Sequence, residues 1–226
     1  MEGFHRGVPK IKNLEQQENK IEQPKIKEGV DFVFEQNPAI AEVGTKEQYS
    51  QYLDTIFPES KIKDIVYHQT LSREFNVKDW KLSRLGGAYF NFYNSERTDS
   101  QFTKMLSKYV MDFGRKNRTV IGVVDARNPF IINRKNAKEI EKKIGMSTQD
   151  TGKLRKNFDL SENDSILGYA NPLYDRGELD DLVNHNIPLN KKSGIELALF
   201  DPANQIHDLG SKEDIQNFKQ FVESKE

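Results

Sequence analysis

Three polar residues interrupt or close apolar runs, and all three are of types that hold protons, hydrogen bonds or positive charge at reacting centres. Glu196 stands inside Gly194-Ile195-Glu196-Leu197-Ala198-Leu199-Phe200-Asp201-Pro202. His68 closes Ile65-Val66-Tyr67-His68, just ahead of Gln69 and Thr70, and Tyr89 lies in Gly86-Gly87-Ala88-Tyr89-Phe90. The glutamate carries the most information, because a carboxylate in an apolar strand is costly to bury unless it is paired or opens on a cleft. Each residue has a plainer reading as well. Glu196 could be the outward face of an edge strand, His68 a hydrogen-bonded strand-end histidine, and Tyr89 a core aromatic. Singly, none of them defines a site.

The elements that must position these residues are read from periodicity and caps. Thr45 with Gln48 has capping-box spacing and predicts a helix to about Phe57, with Tyr49, Tyr52, Leu53 and Ile56 on one face. Strands are predicted over Lys61–Tyr67, Ala88–Phe92, Ile195–Phe200 and Gln205–Leu209, and a short one over Leu179–Val183. The β-branched run Thr119–Val124 is the expected buried central strand. Helices are predicted from Ser100 to Phe113, from Arg134 to Ile144, and from the capping residue Ser211 to about Val222. Asp125-Ala126-Arg127-Asn128-Pro129 reads as a turn, and Met146 to Asn171 as irregular. Strands outnumber helices without regular alternation, which indicates α+β. Residues 1–28 are polar and form a flexible tail on this reading, followed by one domain over 29–226.

Composition narrows the chemistry. The 226 residues include no cysteine, four histidines and one tryptophan, which excludes thiolate nucleophiles, disulfide scaffolds and cysteine zinc sites. The histidines show no metal-ligand spacing, so no metal site is expected. No apolar run is long enough to span a bilayer and no charged-then-apolar leader opens the chain, so neither a membrane association nor a secretory signal is expected. The net charge of −1 hides an asymmetry. Lys104–Lys156 holds fourteen Lys/Arg against five Asp/Glu, and Asn157–Glu226 holds six against fourteen. The basic part reads either as a solvated face or as a phosphate-binding one. Neither GxGxxG nor GxxxxGK[ST] is present, which removes the usual dinucleotide and P-loop fingerprints.

Taken together and in order, Tyr67-His68-Gln69-Thr70, Gly87-Ala88-Tyr89-Phe90 and Glu196 through Phe200-Asp201-Pro202-Ala203-Asn204-Gln205-Ile206 resemble the His–Tyr–Glu class of ADP-ribosyltransferases. That class includes diphtheria toxin and the poly(ADP-ribose) polymerases. The likeness is greatest to the modules found in phage and mobile-element polyvalent proteins, and it covers roughly Val30 to Val222. It implies an ADP-ribosyltransferase-like fold of two packed, mostly antiparallel sheets with peripheral helices.

The resemblance also implies roles. Glu196 would be catalytic, accepting a hydrogen bond from a ribose hydroxyl of NAD and stabilising the oxocarbenium character that develops as the N-glycosidic bond breaks. Tyr89 would stack on the nicotinamide ring. His68 would hold the adenosine ribose, and the backbone at Gln69, with Thr70 close by, would meet the carboxamide. Two positions depart from the family pattern. Gln69 replaces the usual glycine, and Ser100 stands where a second stacking tyrosine is usual, with Phe102 its nearest aromatic substitute. Gly194, two before Glu196, disfavours the arginine-modifying version of the fold. The implied activity is mono-ADP-ribosyl transfer from NAD to an intracellular macromolecule, and a protein acceptor is favoured over RNA or DNA, which stays open. The context would be a cytoplasmic toxin or phage-related effector, with a neutralising antitoxin as a further partner. Two other readings stay open: a non-catalytic module of the same fold that binds NAD or a partner, and a nucleic-acid-binding protein using residues 104–156.

Overall fold

The Thr45 hydroxyl accepts the amide of Gln48, and the Gln48 side chain accepts the amide of Thr45, so the first strong local signal closes into a full capping box. The helix it opens is α2 (Lys46–Ile56), preceded by the short α1 (Val30–Gln36). The computed structural model describes residues 25–70, 76–80, 82, 86–95, 118–145, 150–169, 178–192 and 194–225. The helix predicted from Ser100 to Phe113, and Phe102 with it, lies outside these residues. The remaining elements are β1 (Val66–Thr70), β2 (Ala88–Phe92), β3 (Arg118–Val124), β4 (Pro129–Ile132), α3 (Arg134–Ile144), α4 (Thr151–Asn157), β5 (Ser165–Tyr169), α5 (Glu178–Asn184), β6 (Ile195–Leu199), α6 (Pro202–Gln205), β7 (Ile206–Asp208) and α7 (Lys212–Glu223).

The strands form one seven-stranded sheet in the order β4-β5-β6-β2-β1-β3-β7, with β4–β5 parallel and every other pair antiparallel. Mixed secondary structure around a mostly antiparallel sheet fits α+β. Two packed sheets are not what the described residues form. β2 bonds to both β1 and β6, which joins the two halves into a single ladder. The middle strand is β2, not the β-branched β3, which lies beside the edge strand β7.

Other departures have local causes. Lys61 and Ile62 do not extend β1, because the Ser60 hydroxyl takes the Ile62 and Ala126 amides and Lys61 donates to Ala126, folding this stretch into a turn. The strand runs past His68 to Thr70 instead. Leu179, Leu182 and Val183 are buried at helical spacing, so the short strand expected there is helix α5. The stretch expected to be irregular contains α4 and β5, and Pro129 opens β4 rather than only ending a turn. At the other end of the chain, Lys27 pairs with Asp54 at 2.8 Å and Glu28 accepts the Ser95 amide at 2.9 Å. The fold therefore begins before residue 29.

The core divides by sheet face. One face carries a single apolar cluster that includes Val66, Phe90, Phe92, Val120, Leu167, Leu197 and Leu199. The opposite face carries two separate clusters. Tyr67, Ile121 and Val123 pack under α1, α2 and α7 at the β3 side, and Ile132, Ile166 and Ala198 pack under α3 and α4 at the β4 side. The first of these helical groups is locked by Asp214, whose fully buried carboxylate accepts the Tyr49 hydroxyl at 2.5 Å, His207 Nε2 at 2.8 Å and the Gly210 amide at 2.8 Å. An ionised carboxylate only accepts, so Nε2 carries the hydrogen. Burial, reinforced by the Asp214 charge, pushes the Tyr49 and Tyr52 phenols far above the ordinary tyrosine range.

At the head of β2, Gly86 adopts φ 80°, and a Cβ there would lie 2.9 Å from the Gly152 backbone. The glycine thus lets β2 enter directly beneath the first turn of α4. Gly86→Ala is expected to lower stability by about 1–3 kcal/mol through strain and backbone collision. Urea denaturation measures this, and an unchanged midpoint would show that α4 yields freely.

Candidate functional site: an uncovered stripe at the sheet centre

Register decides which side chains meet. Tyr67 pairs with Asn91, Asn91 with Glu196, Glu196 with Gly168, and Gly168 with Ile132, so these five share one face. The next row on that face is Tyr89, Ala198, Ile166 and Phe130. Tyr67 and Ile132, at the ends of the first row, are buried under the two helical groups. Between them Asn91 is exposed and Glu196 is half-buried. Among the described residues, the two helical groups leave a short stripe between them at Asn91 of β2 and Glu196 of β6. Gly168 brings no side chain to the flank of the carboxylate.

Tyr89 stands on the same face as Glu196, two residues along β2 from Asn91. It is half-buried, packs against the cluster under α3 and α4, and its hydroxyl lies 2.9 Å from Thr151 Oγ1 at the start of α4. Gly87 permits this approach, since a Cβ there would lie 2.9 Å from the same hydroxyl oxygen. Tyr89 and Glu196 are therefore brought together on one face of adjacent strands.

His68 is not brought to that face. It alternates with Tyr67 and so stands on the opposite side of the sheet. Its ring packs on Trp80 (centroids 4.7 Å apart) and Phe90 (5.9 Å). Nδ1 lies 2.8 Å from the Tyr89 carbonyl oxygen, which can only accept, so Nδ1 carries the hydrogen. Burial, only partly offset by that bond, lowers the readiness of His68 to take a proton. β1 and β2 pair at Val66↔Phe92 and Tyr67↔Asn91, whereas β1 and β3 pair on through Thr70↔Arg118. The imidazole thus bridges the two strands at a fork, just where their paired residues end. Gln69 and Thr70 lie on the β1 arm of this fork, their backbones paired with Thr119 and Arg118. The converging trio of the sequence reading becomes a pair on one face and a histidine on the other.

The helices that border the stripe on the β4 side are basic. Lys135, Lys138, Lys142, Arg155 and Lys156 are exposed on α3 and α4. The described part of the basic segment is partly neutralised, with Arg127 on Asp125 at 2.8 Å, Lys143 on Glu139 at 2.8 Å and Lys153 on Asp150 at 3.3 Å. Lys191 and Lys192 likewise pair with Glu28 and Glu178. Among the described residues no group of three acidic or histidine side chains could hold a metal ion, and no helix is long and apolar enough to cross a membrane.

Asn91 is the residue that sequence reasoning passed over. The signal was present, since a polar side chain two positions from Tyr89 in an apolar strand must share its face. Comparison with known proteins returns no matching family model, no matching curated protein and no matching solved structure.

His68 yields a pH prediction. Its proton affinity is depressed in the folded protein relative to the ordinary value of 6.5, so the unfolded chain binds the proton more readily. Stability should fall as pH drops from 7 through 6.5 toward 5. His68→Asn keeps an N–H donor for the Tyr89 carbonyl without titrating, and should flatten that part of the melting-temperature profile. An equally steep profile in the variant would assign the acid sensitivity to another group.

Proposed function

We propose that the chain is a mono-ADP-ribosyltransferase that uses NAD as co-substrate and modifies an intracellular macromolecule, as a toxin or phage-related effector does. One observation carries this reading: Glu196 is half-buried near the centre of the sheet, between the described helical groups and on the same face as Tyr89 of the adjacent strand. The motif order of the sequence supports it. So does the fork between β1 and β2, where the Gln69 backbone and Tyr89 lie on opposite arms.

In the proposed reaction the bond between ribose C1′ and the nicotinamide nitrogen breaks, and its electron pair leaves with nicotinamide. The ribose acquires oxocarbenium character. Glu196 accepts a hydrogen bond from a ribose hydroxyl and places its negative charge beside the developing cation, where a partly enclosed site makes it more effective than in water. The acceptor's nucleophile then bonds to C1′ and gives up its proton. Tyr89 supplies an aromatic surface for the nicotinamide, with its hydroxyl tethered to Thr151. His68 contributes from the other face by fixing the Tyr89 carbonyl, so the hold on the adenosine ribose expected of it does not follow from its placement.

That placement favours a second reading, a non-catalytic module of the same fold that binds NAD or a partner. Turnover separates the two. With labelled NAD and a cell extract, transfer to a macromolecule and release of nicotinamide support the enzyme. Saturable NAD binding without turnover supports the module, and no NAD binding overturns the enzyme and leaves only a module that binds a partner. In the enzyme, Glu196→Gln should lower turnover by at least a hundredfold while NAD affinity stays within a few-fold, because shape is kept and only charge is lost. Normal turnover in that variant would remove Glu196 from the reaction.

A further inference from the structure

Asn91 is an exposed amide on the middle strand of the sheet, directly across the ladder from Glu196 and on the face of Tyr89. Its described neighbours of the same parity are Tyr67, Tyr89, Tyr93 and Glu196. Position 91 therefore stands between the buried Tyr67 and Tyr93 on one side and Glu196 on the other. Directly opposed residues in an antiparallel ladder have Cα atoms about 4.5–5.5 Å apart. An acceptor-only carboxylate and a carboxamide that both donates and accepts thus stand side by side.

We propose that Asn91 is a substrate-contacting residue which, together with Glu196, clamps the cis-diol of a ribose. This rests on the reading of Glu196 as the ribose-facing carboxylate. Two hydroxyls on adjacent carbons, each able to donate and accept, complement the pair. Glu196 takes the hydrogen of one, and the Asn91 N–H donates to the oxygen of the other. A phosphate at this point would be repelled by the carboxylate, and an apolar group would offer neither side chain a hydrogen bond. Gly168, on the far side of Glu196, brings no side chain to compete for the same space. The clamp makes the site selective for ribose over deoxyribose, and it fixes the sugar while C1′ reacts.

The test uses carbocyclic NAD, which keeps the diol on the nicotinamide side but cannot form an oxocarbenium ion, with its 2′-deoxy and 3′-deoxy forms. Titration calorimetry is carried out on the full chain and on Asn91→Ala, whose exposed position leaves the melting temperature unchanged. The variant should bind carbocyclic NAD about two- to tenfold more weakly, the size of one hydrogen bond. Removing one of the two hydroxyls should cost the wild type a similar factor and cost the variant nothing more. Wild-type affinity in Asn91→Ala, or losses that multiply for both hydroxyls, overturns the clamp while leaving the NAD site intact. If the wild type binds none of the three ligands, the ribose reading of Glu196 fails and the clamp falls with it.

Discussion

The pairing of β2 between β1 and β6 is the constraint on which the rest depends. Side chains alternate strictly along a strand, so a slip of one residue between β2 and β6 would carry Tyr89 and Asn91 to the opposite face from Glu196. What resists that slip is the other face. Ala88, Phe90 and Phe92 are buried there with Leu197 and Leu199 in one continuous cluster, and a one-residue shift would place Asn91 among them. The apolar side of the sheet thus holds the polar side in register, without touching it.

Packing then determines what the polar side can accommodate. α2 and α7 are drawn together at one end by the buried Asp214, and α3 and α4 gather at the other over Ile132, Ile166 and Ala198. α4 reaches β2 only at Tyr89, and among the described residues neither group covers Asn91 or Glu196, so the stripe is bounded by two bodies fixed independently to the same floor. Gly86 and Gly87 set how close α4 can come, and the Tyr89–Thr151 contact records the result. His68 acts from below, bonding to the carbonyl of the residue whose ring lies above.

Local signals read well from the sequence wherever a cap or an alternation was self-sufficient. The Thr45–Gln48 box, the Ser211 cap, Ala88–Phe92 and Ile195–Leu199 all fall where side-chain type alone dictates the conformation. Short apolar runs did not, since Leu179–Val183 suits a strand or one helical turn equally until burial selects the helix. β4 and β5 were hidden because Pro129 and Gly168 break the expected strand composition. The relation among His68, Tyr89 and Glu196 is of a different kind. Each lies in a legible strand, but which of them share a face depends on pairings between residues 24 to 111 positions apart, from Tyr67↔Asn91 to Ala88↔Leu199. Alternation within one strand is local, and register between strands is not.

The order in which the strands appear has a consequence for how the molecule comes into being. β2 ends at Phe92, but the partner that covers its free edge, β6, does not begin until Ile195. A ribosome making this chain exposes that edge, with its unpaired amides and carbonyls, while the next hundred residues emerge. At ordinary rates of synthesis, about 5–20 residues per second, the interval lasts several seconds. An open edge beside Phe90 and Phe92 is a template for pairing with another chain. The glutamate strand is the piece that closes it, so the proposed site cannot exist on any nascent chain whose sheet is still open.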